Sequence, residues 1–119
     1  MARVSSKLRS LDMGNGRSGF GFWCPGCEEM HSVVTAGGPG WSFDGNLNAP
    51  TFSPSVLVRG VQRITEEEYA RIRAGDPFEP KPHVCHSFVT AGAINYLGDC
   101  THPLSGQNVP LPDLPSDPA

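Results

Sequence analysis

The sequence contains no apolar run long enough to cross a bilayer, and its first residues lack the hydrophobic core of a signal peptide. Neither membrane insertion nor export is expected, so the chain should start life in a reducing cytosol. Only 38% of the residues are hydrophobic and long apolar periodic segments are few, which leaves material for a thin core. The net charge of -3 excludes the global basic signature of a nucleic-acid binder. There is no glycine-rich phosphate loop and nothing with the form of a nucleophile elbow. Cysteine is confined to four positions.

What the chain does have is concentrated around those cysteines. The stretch Phe20-Gly21-Phe22-Trp23-Cys24-Pro25-Gly26-Cys27 delivers two thiols three positions apart, and Cys85 and Cys100 each stand beside a histidine, in Cys85-His86 and Cys100-Thr101-His102. In a reducing compartment such a set points to a metal or to chemistry rather than to disulfides. A redox pair would call for a helix starting at the second cysteine, whereas β-branched Val33, Val34 and Thr35 follow here. The expected site is therefore a structural Zn2+ held by Cys24, Cys27, Cys85 and Cys100, with His31, His86 and His102 as alternates. Four thiolates close a tetrahedral site, while a catalytic zinc keeps an open position and favours His or carboxylate ligands. The downstream half depends on register. A two- or four-residue loop at Ala91-Gly92 sets Cys85 and Cys100 on one face of a hairpin, and a three-residue loop brings His86 opposite Cys100 instead.

The patterning predicts a mainly β chain, a small antiparallel hairpin domain of zinc-ribbon type with one short inserted helix over about 66–74. Positions 1–19 read as a basic arm or edge strand, 20–111 as a single metal-stapled β domain, and 112–119 as a proline-rich tail. Gly14-Asn15-Gly16 is a turn signal. Strands are expected through Phe20 to Trp23, Ser32 to Thr35, Trp41 to Phe43, Thr51 to Val58, His83 to Val89, Ala93 to Leu97 and Gln107 to Leu111, with Cys24 to Cys27 as the tip of the first hairpin. The helix carries its own punctuation: Thr65 as N-cap, Glu68 three residues on to complete a capping box, and Gly75 at the C-terminal end.

Other candidates carry less. Asp99 can orient His86 or His102 through a hydrogen bond. Ser53 and Ser87 have no assignable histidine partner. Trp23, Trp41, Phe43 and Phe52 suit either a core or a base-stacking platform.

The motifs Phe22-Trp23-Cys24-Pro25-Gly26-Cys27 with Met30-His31, Gly40-Trp41-Ser42-Phe43-Asp44-Gly45-Asn46, Pro50-Thr51-Phe52-Ser53-Pro54-Ser55-Val56, Cys85-His86-Ser87-Phe88, and Gly98-Asp99-Cys100-Thr101-His102 with Gly106-Gln107 together resemble a small zinc-binding-type domain family of unknown function, common in tailed phages and prophages. That family is sometimes labelled ammonia monooxygenase. The resemblance covers roughly 20 to 112. An oxygenase finds no support in these residues, because copper or di-iron centres want His and carboxylate clusters without such an excess of thiols. The resemblance implies a phage origin and, with the thin core and unstructured ends, a structural protein of the particle: a capsid cement, decoration or connector subunit. Its expected partners are the major capsid protein or further copies of itself, and its expected location is the host cytoplasm and then the virion, with no membrane. The alternatives are an intracellular accessory protein binding nucleic acid or a host protein, and a zinc hydrolase acting through His86, His102 and Asp99. Enzymatic activity is the less favoured expectation.

Overall fold

The computed structural model of the chain describes residues 3–115; the remaining positions of the expected arm and tail lie outside the described residues. Eight strands and one helix follow in order: β1 (Arg9–Gly14), β2 (Arg17–Cys24), β3 (Glu29–Ala36), β4 (Ser42–Phe43), β5 (Phe52–Val61), α1 (Glu66–Arg73), β6 (Pro82–Thr90), β7 (Ala93–Tyr96) and β8 (Asn108–Pro110). They form two antiparallel sheets, β1-β2-β3 and β4-β5-β6-β7-β8. The expectation of a mainly β, antiparallel chain with one short helix is met.

Local chemistry accounts for the turns. Gly14, Asn15 and Gly16 all take positive φ, so the turn between β1 and β2 closes where the sequence places it. Ala91 and Gly92 also take positive φ, and Thr90↔Ala93 is the last cross-strand pair. The second hairpin therefore has the two-residue loop, and its register carries Ser87 opposite Tyr96.

Alternation then sorts each strand into faces. Phe22 and Val33 from the first sheet meet Phe52, Val56, Val89 and Ile94 from the second in one buried cluster. Phe52 stacks on Phe43 at 5.3 Å and lies 6.2 Å from Phe22, so these aromatics are core and not a platform for bases. Leu8, Leu111 and Leu114 are buried as well. Leu114 N–H donates to the Ser6 carbonyl and Arg3 Nη2 to that of Pro115, so the described ends pack against one another.

Between β5 and β6 the chain makes an excursion over 62–81. Its neck is closed by the Val61↔Pro82 pair and by Gln62 N–H donating to Lys81 O at 2.8 Å. The excursion contains α1, whose capping box is complete: Thr65 Oγ1 accepts from Glu68 N–H and Glu68 Oε1 from Thr65 N–H. Gly75, with φ +91, ends it. No residue of α1 is buried.

Candidate functional site

Strand β6 carries two sets of functional groups because its side chains alternate. Facing inward, Cys85 meets the tip of the first hairpin. Cys24 Sγ lies 3.8 Å from Cys85 Sγ and 3.1 Å from the Tyr96 hydroxyl, and donor atoms of Cys24, Cys27, His31 and Cys85 all fall within 4.8 Å of one another. All four residues are buried. The 3.8 Å separation matches the edge of a tetrahedron with metal–sulfur bonds of about 2.3 Å, for which roughly 3.8 Å is required. His31 Nε2 is sealed from solvent and has no hydrogen-bond partner among the described residues, which leaves a nitrogen for an ion to satisfy. The donor set thus fits a metal.

The protons in this cluster are unevenly held. The Cys85 thiol, then His31 and Tyr96, bring Cys24 down to about 3 against the opposing effect of burial. Burial, then the Cys24 charge, pushes Cys27 up to about 12. Cys85 is raised too, first because its proton bridges to Cys24 and then by burial. Tyr96 stays a neutral phenol, raised by burial and by its bond to Cys24.

Cys100 is placed differently from the expected four-thiol site. It forms a neighbouring group with Cys85 and His102 and is absent from the group that holds Cys24 and Cys27. The chain leaves β7 through a turn at Gly98-Asp99, and there the Cys100 thiol engages the backbone of His86: it accepts from His86 N–H and donates to His86 O, both at 3.2 Å. His102 is tied by its tautomer. Its Nδ1 accepts from Leu104 N–H at 3.2 Å, so Nε2 carries the proton and donates to Cys85 Sγ at 3.4 Å. Burial lowers its pKa and keeps it neutral. A Cβ on Gly26 would overlap the His102 ring, so the knuckle requires glycine at this close approach. His83, not singled out in the sequence, bonds Cys27 Sγ through Nε2 at 3.0 Å.

Facing outward, His86 meets two residues at once. Its Nε2 is 2.9 Å from Ser55 Oγ and its Nδ1 is 3.1 Å from Asp99 Oδ2. An ionised carboxylate only accepts, so Nδ1–H donates a hydrogen bond to Asp99 and Nε2 presents a lone pair to the Ser55 hydroxyl. Ser55 sits in β5 beside a bulge, where the ladder passes from Phe52↔Val89 to Val56↔Ser87. Trp41 Nε1–H holds the Ser55 carbonyl at 3.2 Å. The loop bearing Asp99 is pinned to β6 at both ends, by Leu97 N–H on His86 O and by Thr101 N–H on Val84 O. Ser55, His86 and Asp99 thus form one continuous hydrogen-bonded chain on the outward face, an order of groups that can lend a serine hydroxyl to nucleophilic chemistry.

Residues 3–97 match the family model described as BubE, bacterial ubiquitination-like system serine protease. The chain belongs to the BubE family. The match to BubE includes Ser55 and His86 and ends just before Asp99. No curated protein and no solved structure matches the chain. BubE membership corrects the expectation of a phage structural protein, with its capsid decoration and virion roles. One physical ground for that expectation falls away too, since the described parts of the two ends pack on each other. Of the serines considered from sequence, Ser87 is buried and Ser53 accepts from Ser42 through its carbonyl, whereas Ser55, which carries no motif of its own, is the one at His86. Among the described residues, no helix is long and apolar enough to cross a membrane.

Proposed function

We propose that this chain is a serine hydrolase in which Ser55 is the nucleophile, His86 the general base and acid, and Asp99 the group that orients His86. The observation that carries this reading is the continuous pair of hydrogen bonds Ser55–His86–Asp99, and the family description supports it. Ser55 Oγ attacks a carbonyl carbon while His86 Nε2 accepts the hydroxyl proton, and the new C–O bond gives a tetrahedral adduct. His86 then returns that proton to the departing amine or alcohol as the C–N or C–O bond breaks. Water, deprotonated by the same nitrogen, releases the acyl group and restores Ser55. Asp99 holds the imidazole in the required tautomer and stabilises the imidazolium formed on the way. The family's place in a ubiquitination-like system suggests the acyl group: the C-terminal carbonyl of a ubiquitin-like modifier in amide or ester linkage.

The hydrolase alternative foreseen from the sequence is retained, and its nucleophile becomes Ser55 in place of a metal-bound water. His86 and Asp99 keep their partnership, and His102 belongs to the thiol cluster. The Cys24, Cys27, His31 and Cys85 set takes a structural Zn2+ in this reading. Bound there, a zinc ion would cross-link the turn between β2 and β3 to β6 and let the buried thiols be charged together.

A fluorophosphonate probe reacts with an activated serine and with little else. Mass spectrometry of labelled protein is expected to show one adduct on Ser55, abolished in Ser55→Ala and strongly slowed in His86→Gln. Labelling that is absent, or that survives in Ser55→Ala, would falsify the assignment.

A further inference from the structure

The strand face that carries the triad also carries exposed apolar residues, and their placement relative to the reacting atoms is specific. Leu57 is the cross-strand partner of His86, and Val56 is that of Ser87. One step further the ladder is broken by the bulge in β5, where Phe88 alone faces Ser53 to Ser55 before the next pair, Phe52↔Val89. Ser55, Leu57, His86 and Phe88 thus form a four-cornered patch on the outward face, irregular at the Ser55 corner. The hydrogen bond from Ser55 to His86 runs along one diagonal, and Leu57 and Phe88 stand at the ends of the other. Both are large apolar side chains left open to solvent, 44% and 42% exposed.

We infer that this face is the substrate-docking surface, and that Leu57 and Phe88 receive the apolar side chains flanking the bond that is cleaved, one on the acyl side and one on the leaving-group side. The inference rests on the triad reading above, and the occupant follows from it. A carbonyl within reach of Ser55 Oγ, with its leaving group toward His86 Nε2, has to cross the Ser55–His86 diagonal. An extended peptide advances about 3.3 Å per residue, and facing strand neighbours stand about 5 Å apart, so the residues next to the scissile bond fall over the other two corners. Covering half-exposed apolar side chains favours apolar residues at those two substrate positions over glycine.

Two probe series test it on the metal-loaded full chain. Activated 4-nitrophenyl esters of acyl-Gly, acyl-Leu and acyl-Phe report the acyl side. Glycinamide and leucinamide, competing with water for the acyl-enzyme, report the leaving-group side. The parent protein is expected to prefer the apolar members of each series by roughly tenfold, the scale of partly burying one such side chain. Leu57→Ala is expected to erase one preference and Phe88→Ala the other. Fluorophosphonate should still label Ser55 in both, and Val61→Ala, on the same face but further along β5, should change neither series nor the labelling rate. Labelling at Ser55 without any apolar preference overturns the docking face alone, as does a preference that survives both substitutions. Concentration-dependent dimers of the parent that Phe88→Ala dissociates would overturn it too, by giving the face to a second copy. Failure of the parent to label overturns the triad and the face together.

Discussion

Cys85 and His86 are adjacent on β6 and serve different ends. Cys85 is 1% exposed and turns inward to Cys24, a residue from the other sheet, while His86 keeps 26% of its side chain open and turns outward to Ser55 and Asp99. The inner group joins distant parts of the chain around a point that water does not reach. The outer group uses a neighbouring strand and a pinned loop, and leaves room for a second reactant. The period of two puts successive residues on opposite faces, so one strand supplies two separate clusters of functional groups. Cys100 is the one thiol that touches both, near Cys85 through its sulfur and bonded to the His86 backbone.

The comparison is broken most severely from the inside. Cys24→Ser and Cys85→Ser are expected to lose the bound ion and most of the folded population, because structural zinc supplies about 10 kcal/mol or more of folding free energy. Elemental analysis and thermal melts of the two variants check this. Unchanged metal content and melting temperature would remove the staple.

The outer face breaks separately. Ser55→Ala should cut ester hydrolysis by about ten-thousandfold or more, with metal content and melting temperature as in the parent. Loss of metal from this variant would mean that the two faces are not independent.

A sharper cut compares His31 with Cys100. His31→Gln is expected to weaken metal retention against a chelator titration, whereas Cys100→Ala should keep the ion. The latter should lose up to about a hundredfold in turnover as the His86 backbone loses its two sulfur contacts and the base shifts relative to Ser55. The reverse pattern would return Cys100 to the ligand set.

The smallest effect lies outside both faces. Glu68 is held below the usual carboxylate range by the Thr65 backbone N–H and then the Thr65 side chain. Its stabilising contribution is complete above the ordinary carboxylate value of 4.5 and fades as pH falls through the lowered folded value. Glu68→Gln should therefore lower the melting temperature slightly at neutral pH, with the gap closing in acid, while activity and metal content stay level. A gap that widened in acid would contradict the cap.

Much of the frame was legible in the residues. Gly14-Asn15-Gly16, Ala91-Gly92 and the Thr65/Glu68 pair are local signals whose physics needs no distant partner, and each forms where it was read. The knuckle Cys24 to Cys27 is likewise local, and the coupling of His86 to Asp99 was half visible from their neighbouring motifs. Ser55 was not visible. It lies 31 positions before His86 in a Ser-Pro-Ser stretch without an elbow, and only the bulge in β5 and the β5–β6 register bring it to the imidazole. Cys100 fell short of the thiol cluster for a similar reason: parity along the hairpin predicted a face, but the pairing stops at Tyr96 and a turn decides where the sulfur goes.

The closed neck at Gln62 and Lys81 has a bearing on how this chain can change over time. The 62–81 excursion is tied down at its root alone, by the Gln62–Lys81 neck and by the Arg63 guanidinium on the Cys27 and Glu28 carbonyls, and buries nothing from its helix. Doubling the length of such a loop adds only about 0.6 kcal/mol of closure entropy. The junction is thus a port where relatives can shorten, lengthen or exchange a surface module, or an experimenter can insert a reporter, without disturbing the ladder between β5 and β6.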